Sequence, residues 1–323
     1  MEPTGRTSQF LRAADIWQYL CAAVILVLFL PAYSSAHGFA GKRFFPTTFQ
    51  VDDPFVSDEF SILFDHIKEP DDQPSRTTDF DLEYSKRITP HLGVFVGESY
   101  SHLDFLGNGS ASGFGNLELG IKYQFLTSAE HETILSAGAG VEIGGTGARR
   151  VGAESFSVLS SALFFGKGFG DLPPSVKFLR PFAVTGVVGP NFSGRSSNVI
   201  VNEDTGETEI ERNPDTLTWG FTIQYSLIYL QSFVKDIGLG APFNRMVVLA
   251  EFPMETCLNR GCKGRTFGTI NPGIIWVGKS YQLGIAAQIP VNDRTGKNVG
   301  VLGLIHFFID DIFPDSIGKP ILP

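Results

Sequence analysis

The side chains able to carry covalent chemistry come first. His91, His102, His131 and His306 stand among plentiful serines, and an acyl hydrolase needs a Ser, a His and an orienting group meeting on one wall. No spacing in the chain selects such a set, so no enzymatic activity and no cofactor are expected. The stretch "GGTGARR", Gly144 to Arg150, lacks the Gly-Lys-Ser/Thr ending of a phosphate loop and reads as a loop. Cleavage of a leader after Ala36 would expose His37 with a free amine beside its imidazole, a pair able to chelate copper. No second histidine is placed to complete that site, so no metal is expected. Cys257 and Cys262, in "METCLNRGC", have no histidine beside them. In an exported chain so close a pair reads as a local disulfide, ahead of a thiolate metal site.

The remaining chemistry is electrostatic, and it depends on which way strands face. In "GNLELGIKYQF", Leu117, Leu119, Ile121, Tyr123 and Phe125 alternate with Asn116, Glu118, Gly120, Lys122 and Gln124. Phe80, Leu82 and Tyr84 oppose Asp79, Asp81 and Glu83, and Trp219, Phe221, Ile223 and Tyr225 oppose Thr218, Gly220, Thr222 and Gln224. Period-two alternation marks strands. A soluble sandwich would turn the polar faces to water and would charge them richly. Here those faces carry mainly Ser, Thr, Asn, Gln and Gly with scattered acids, which suits a wet lumen with lipid on the other side. Asp79, Asp81, Glu83, Glu118, Lys122, Glu142, Gln224 and Glu251 are therefore the candidate lumen-lining residues. A mostly acidic lining would favour cations, unless these groups pair with one another to fill a narrow barrel.

The elements that must position them follow from the rest of the chain. Arg6 and Arg12 precede the apolar run "YLCAAVILVLFL" and the small residues of "AYSSA", a secretory leader layout that places cleavage after Ala36. Over the whole sequence 43% of the residues are hydrophobic, with 36 Gly, 29 Phe and only 18% charged. No apolar stretch after residue 36 reaches the roughly 20 residues of a spanning helix. A net charge of -9 without a basic block argues against nucleic acid.

Twelve strand segments can be drawn, with approximate cores at 58–66, 78–88, 91–102, 115–126, 132–144, 154–166, 178–189, 215–228, 244–252, 266–277, 280–290 and 298–309. The connections alternate between long polar loops, 190–214 above all, and short turns such as Thr89-Pro90 and "GKS", an asymmetry of bacterial barrels. Two connections on the short side, "GKGFGDLPPSV" and "QSFVKDIGLGAPFN", are long enough to imply special packing or function. The expected organisation is a leader over 1–36, a periplasmic segment or lumen plug over 37–57, an all-β transmembrane antiparallel barrel over 58–309, and a periplasmic tail over 310–323. Phe39, Phe44, Phe45 and Phe49 are the candidate plug residues, with an apolar surface to offer a hydrophobic solute. Gly303, His306 and Phe308 imperfectly repeat the strand-end spacing of Gly120, Tyr123 and Phe125, a terminal signal of the kind the barrel-assembly machinery recognises.

The stretches "GNLELGIKYQF", "FGKGFGDLP", "LRPFAVTG", "NPGIIWVGKSYQLGIAAQIPVN" and "HFFIDDIFP" resemble the MetA-pathway phenol-degradation family of outer-membrane barrel proteins, over nearly the whole chain after the leader. The resemblance implies a bacterial outer membrane and passage of small, hydrophobic or aromatic solutes. Outer-membrane lipid, the assembly machinery and a small-molecule solute are thus the expected partners. A surface-interaction or structural protein acting through its external loops, such as 190–214, is the alternative.

Overall fold

The computed structural model describes residues 38–68, 76–105, 107, 109–201 and 208–323. The expected leader over 1–36 and His37 lie outside the described residues. Twelve antiparallel strands go round a closed barrel: β1 (Glu59–Lys68), β2 (Arg76–Arg87), β3 (Leu92–Asp104), β4 (Glu118–Ser128), β5 (Thr133–Glu142), β6 (Val158–Gly168), β7 (Phe182–Ser193), β8 (Thr216–Ser226), β9 (Met246–Cys257), β10 (Thr266–Val277), β11 (Tyr281–Pro290) and β12 (Gly300–Phe308). Each pairs with its sequence neighbour, and β12 closes on β1 from Phe308↔Glu59 to Val301↔His66. The strands run from 9 to 13 residues, enough for tilted strands to cross about 25 Å of hydrocarbon. A short strand, Ser110–Phe114, extends the outer half of β3, and an external ribbon pairs Ser197–Val201 with Thr208–Arg212.

Alternation decides what covers the wall. Ile285, Leu163, Leu159 and Val248 point away from the barrel and are 63%, 56%, 55% and 45% exposed, with no protein layer over them. A sandwich would bury such side chains against a second sheet. Here only hydrocarbon can cover so wide an apolar surface. At the end carrying the short turns, Phe60, Tyr84, Tyr123, Phe182, Tyr225, Trp276, Tyr281 and Phe307 form an outward aromatic girdle, with Phe60 stacked on Phe307 and Phe182 edge-on to Tyr225. Rings with a polar edge favour the membrane–water boundary. In outer-membrane barrels the short-turn end faces the periplasm, and both described termini lie there.

The C-terminal tail folds back under this end. Arg87 donates from Nη2 to the Gly318 carbonyl at 2.9 Å, and Leu322 N donates to the Ile88 carbonyl at 2.7 Å. Asp58 accepts from Arg87 Nε at 2.7 Å and so ties the entry to β1 to the same corner.

Three strands differ from the segments read in the sequence by four residues or more at an end. β9 continues past 252 to Cys257, because Pro253 costs only a local lapse in its ladder with β10. β7 starts at Phe182, since Pro174–Leu179 forms a 3-10 turn, where a proline is tolerated at the first position. β6 starts at Val158, four residues later than expected.

Candidate functional site: an acidic lumen floored by the N-terminal segment

The segment before β1 enters the lumen from the periplasmic end and turns at about mid-height. Its base is a small hairpin in which Phe39↔Phe44 and Ala40↔Arg43 pair. The tight turn needs Gly41, whose φ is +63°, and a Cβ there would lie 2.1 Å from the Ala129 carbonyl oxygen. Arg43 is fully buried. It pairs with Glu132 at 3.2 Å, stacks on the Tyr229 ring at 3.8 Å, and donates to the carbonyls of Pro181, at 2.9 Å, and Arg180. Tyr229 donates its hydroxyl to Glu132 at 2.8 Å, and Gly170 N donates to the same carboxylate at 3.0 Å. Burial, then this hydrogen bond, pushes the Tyr229 hydroxyl pKa up to about 12. Every part of this clasp outside the hairpin comes from a short-side connection, two of them the unusually long ones that the sequence flags.

Above the clasp the chain is latched to the far wall. The Glu251 carboxylate, fully buried on β9, accepts backbone N–H bonds from Phe49 at 2.8 Å, Gln50 at 3.2 Å and Val51 at 3.2 Å. Asn271 Nδ2 donates to Gln50 Oε1 at 2.9 Å, and Gln282 Nε2 donates to the Thr47 carbonyl at 3.0 Å. Phe49 packs with Val247, Leu249, Ile275, Ala286, Leu302 and Leu304. Glycines make room for its ring: a Cβ on Gly284 would come within 2.9 Å of it. On the opposite wall, Lys122 Nζ donates to Asp52 Oδ1 and to the Asp53 carbonyl, both at 2.9 Å, with its ammonium 4.6 Å from the Phe164 ring centre. Gln124 Oε1 accepts from Val56 N, and Ser136 donates to the Pro54 carbonyl.

On this floor stands a cavity of about 680 Å³. Asp52, Asp81, Glu83, Glu118 and Glu142 line it, with an apolar patch of Phe49, Val51, Leu63, Phe95 and Leu304. A second cavity of about 470 Å³ lies beyond it towards the external loops and shares Glu118 and Glu142, adding Glu154, Glu211, Glu255 and Arg212. The path from the external rim to the plug is thus lined by carboxylates with few cations among them.

Asp79, Asp81, Glu83, Glu118, Lys122, Glu142, Gln224 and Glu251 all lie on the inward register. They do not act alike. Asp81, Glu83, Glu118 and Glu142 face open volume; Lys122 and Glu251 bond the N-terminal segment; Gln224 is 2% exposed and donates to Thr185 Oγ1 at 3.3 Å, filling the wall. The phenylalanines also divide. Phe45 and Phe49 are 1% and 6% exposed inside the barrel, whereas Phe39 and Phe44 sit in the basal hairpin, Phe44 edge-on to Phe308. Cys257 and Cys262 form a disulfide at the outer rim, with their Cα atoms 5.6 Å apart. Beside it Asp215 accepts from Asn259 Nδ2 at 2.6 Å, Ser193 N at 3.1 Å and Arg260 at 3.1 Å, and these donors hold its pKa below the usual carboxylate value.

Sequence reasoning missed Arg43, Glu132, Tyr229 and Asp52, whose partners are remote in the chain. Glu255 was within reach: it lies four residues beyond Glu251 on the same face, past the point where Pro253 suggested a strand end. The chain also brings together a Ser–His pair that no spacing selected. Ser61 Oγ lies 2.8 Å from His306 Nδ1, with Glu59 3.6 Å from the other ring nitrogen. Glu83 is directly across the strand pair from Ser61.

Neither a protein-family model nor a curated protein sequence matches the chain. The COG4313 outer membrane channel from Pseudomonas putida F1 is similar in structure, with a TM-score of 0.51 at 13% identity over 80% of this chain and 97% of that one. The fold is that of an outer-membrane β-barrel. The KdgM porin matches with a TM-score of 0.42 at 14% identity, over 76% of this chain and 98% of its own. The beta domain of the Bordetella autotransporter BrkA matches with 0.46 at 13%, over 79% and 100%. At such identities the likeness is one of fold, and function has to be argued from the lumen.

Proposed function

We propose that this barrel is an outer-membrane channel for small solutes, with a preference for cations, closed at mid-height by its own N-terminal segment. The observation that carries the reading is the pair of joined cavities lined by Asp52, Asp81, Glu83, Glu118, Glu142, Glu154, Glu211 and Glu255. Carboxylates around a confined path focus a negative potential and enrich cations there. The apolar patch on the floor would give the hydrophobic part of an organic solute a place to rest. That agrees with the hydrophobic or aromatic solutes implied by the resemblance to the MetA-pathway family, and with the Pseudomonas putida protein being a channel. Passage to the periplasm requires the segment around Phe49 to leave Glu251, so the closed form is a resting state.

Reversal-potential measurements in planar bilayers under a salt gradient test the reading. Wild type should pass cations over anions, and the triple variant D81N/E118Q/E142Q should lose most of that preference. A conductance absent from both wild type and a plug-released variant would overturn it. The external ribbon supports a second reading, in which the loops bind a partner: Val199 and Ile210 pair across it and are 65% and 66% exposed. Deleting residues 197–210, which spares Glu211 and Arg212 of the cavity lining, would abolish that adhesion while leaving ion flux largely intact.

A further inference from the structure

The connection between β6 and β7 is longer than a tight periplasmic turn, and its surface combines exposed apolar side chains with cations. From Pro173 to Leu179 every residue is exposed. Val176, Phe178 and Leu179 are 38%, 50% and 49% exposed on the kinked 3-10 segment Pro174–Leu179. Lys177 and Arg180 lie among them, and the stretch from Leu172 to Phe182 contains no acid, in a chain whose net charge is -9. Lys177 leans over the Phe178 ring at 5.5 Å. The turn adjoins the lipid-facing surface, because Tyr225 of the girdle donates its hydroxyl to the Phe178 carbonyl at 3.4 Å and packs edge-on against Phe182.

We propose that Pro173–Arg180 is a lipid-binding foot, which inserts Val176, Phe178 and Leu179 into the inner leaflet of the outer membrane and sets Lys177 among phospholipid phosphates. Apolar side chains flanked by cations, at the level where a barrel leaves the hydrocarbon, match the chemistry of an anionic lipid interface. A protein partner is the weaker occupant, because the patch is continuous with a girdle that lipid already covers. The position has a consequence for the channel. The carbonyls of Arg180 and Pro181, at the end of the foot, are the ones that receive Arg43 of the plug's clasp, so lipid contact and plug anchoring share one short piece of chain.

The test uses the full chain carrying Cys21→Ser in proteoliposomes, with a bimane label on Phe178→Cys; Cys257 and Cys262 are bridged and do not compete. Leu163→Cys, on the lipid face, and Glu130→Cys, in a neighbouring periplasmic turn, serve as references. Brominated phospholipid should quench the Phe178→Cys label at least about half as strongly as the Leu163→Cys label, as expected for insertion of about 5–10 Å, and several-fold more than the Glu130→Cys label. Lys177→Glu in the labelled protein should reduce quenching in vesicles containing phosphatidylglycerol and have little effect in zwitterionic ones. Heat-modifiable gel migration confirms that each variant is a folded barrel. Quenching no stronger than at Glu130→Cys, or unaffected by lipid charge in the Lys177→Glu comparison, would overturn the proposal.

Discussion

Replacing Glu251 with Gln should unlatch the plug without disturbing the barrel. The substitution keeps the volume of a fully buried side chain but removes its charge, where three backbone donors, from Phe49, Gln50 and Val51, converge at 2.8–3.2 Å. Hydrogen bonds to a charged acceptor contribute about 1.5–3 kcal/mol each, and neutral ones about 0.5–1.5 kcal/mol. With one acceptor oxygen also turned into a donor amide, the latch loses about 3 kcal/mol. At about 1.4 kcal/mol per tenfold, the ratio of released to seated plug rises by about a hundredfold. Two measurements read this directly: the fraction of time that single channels conduct in planar bilayers, and hydrogen exchange at the amides of Phe49, Gln50 and Val51. The ladder of β9 holds backbone to backbone, so amides of Val247 and Leu249 should keep their protection. If exchange at the three latch amides stays within about twofold of wild type while the variant folds normally, the carboxylate is not what seats the plug and the reasoning fails.

Arg43→Met should loosen the base instead of the apex. It leaves the Glu132 carboxylate buried without its cation, a change worth about 3–5 kcal/mol, and should speed exchange across residues 38–46 while the boiled-versus-unboiled gel shift of the barrel is retained. Gly284→Val should push the Phe49 ring out of its seat, since a Cβ already meets it at 2.9 Å, and conductance should rise with the barrel's heat-modifiability unchanged. The outer rim should respond to acid. Asp215 has a folded pKa below its unfolded value of about 3.9, so its contribution is present above that value and is lost as pH falls through the folded one. Limited proteolysis of the 257–265 loop should therefore accelerate below about pH 4, and an Asp215→Asn variant should show no such transition.

The barrel was legible because its determinants are local. Period-two alternation in segments such as Leu217–Tyr225 states both that a strand forms and which face is greasy, and all twelve segments drawn from it correspond to strands. Limits failed where a proline was ambiguous: Pro253 sits inside β9, while Pro173 and Pro174 introduce a 3-10 turn. The inward register of Glu118 or Glu251 could be read from neighbours two residues away, but their roles could not. Glu251 meets Phe49 from 202 residues along the chain, and Arg43 meets Glu132 from 89. Nothing in "KRFFPTTFQVDD" reveals such partners, because an extended segment without period takes its shape from the cavity it enters.

The latch has a further implication for biogenesis. The N-terminal segment is translated before the barrel strands, yet the groups that seat its turn around Phe49, namely Glu251, Asn271, Gln282 and the wall around Leu302, belong to the last four strands. Its seat cannot exist until those hairpins have paired, and contacts of such sequence separation form late. The first part of this domain to be synthesised thus waits for the last hairpins before the seat of Phe49 is complete.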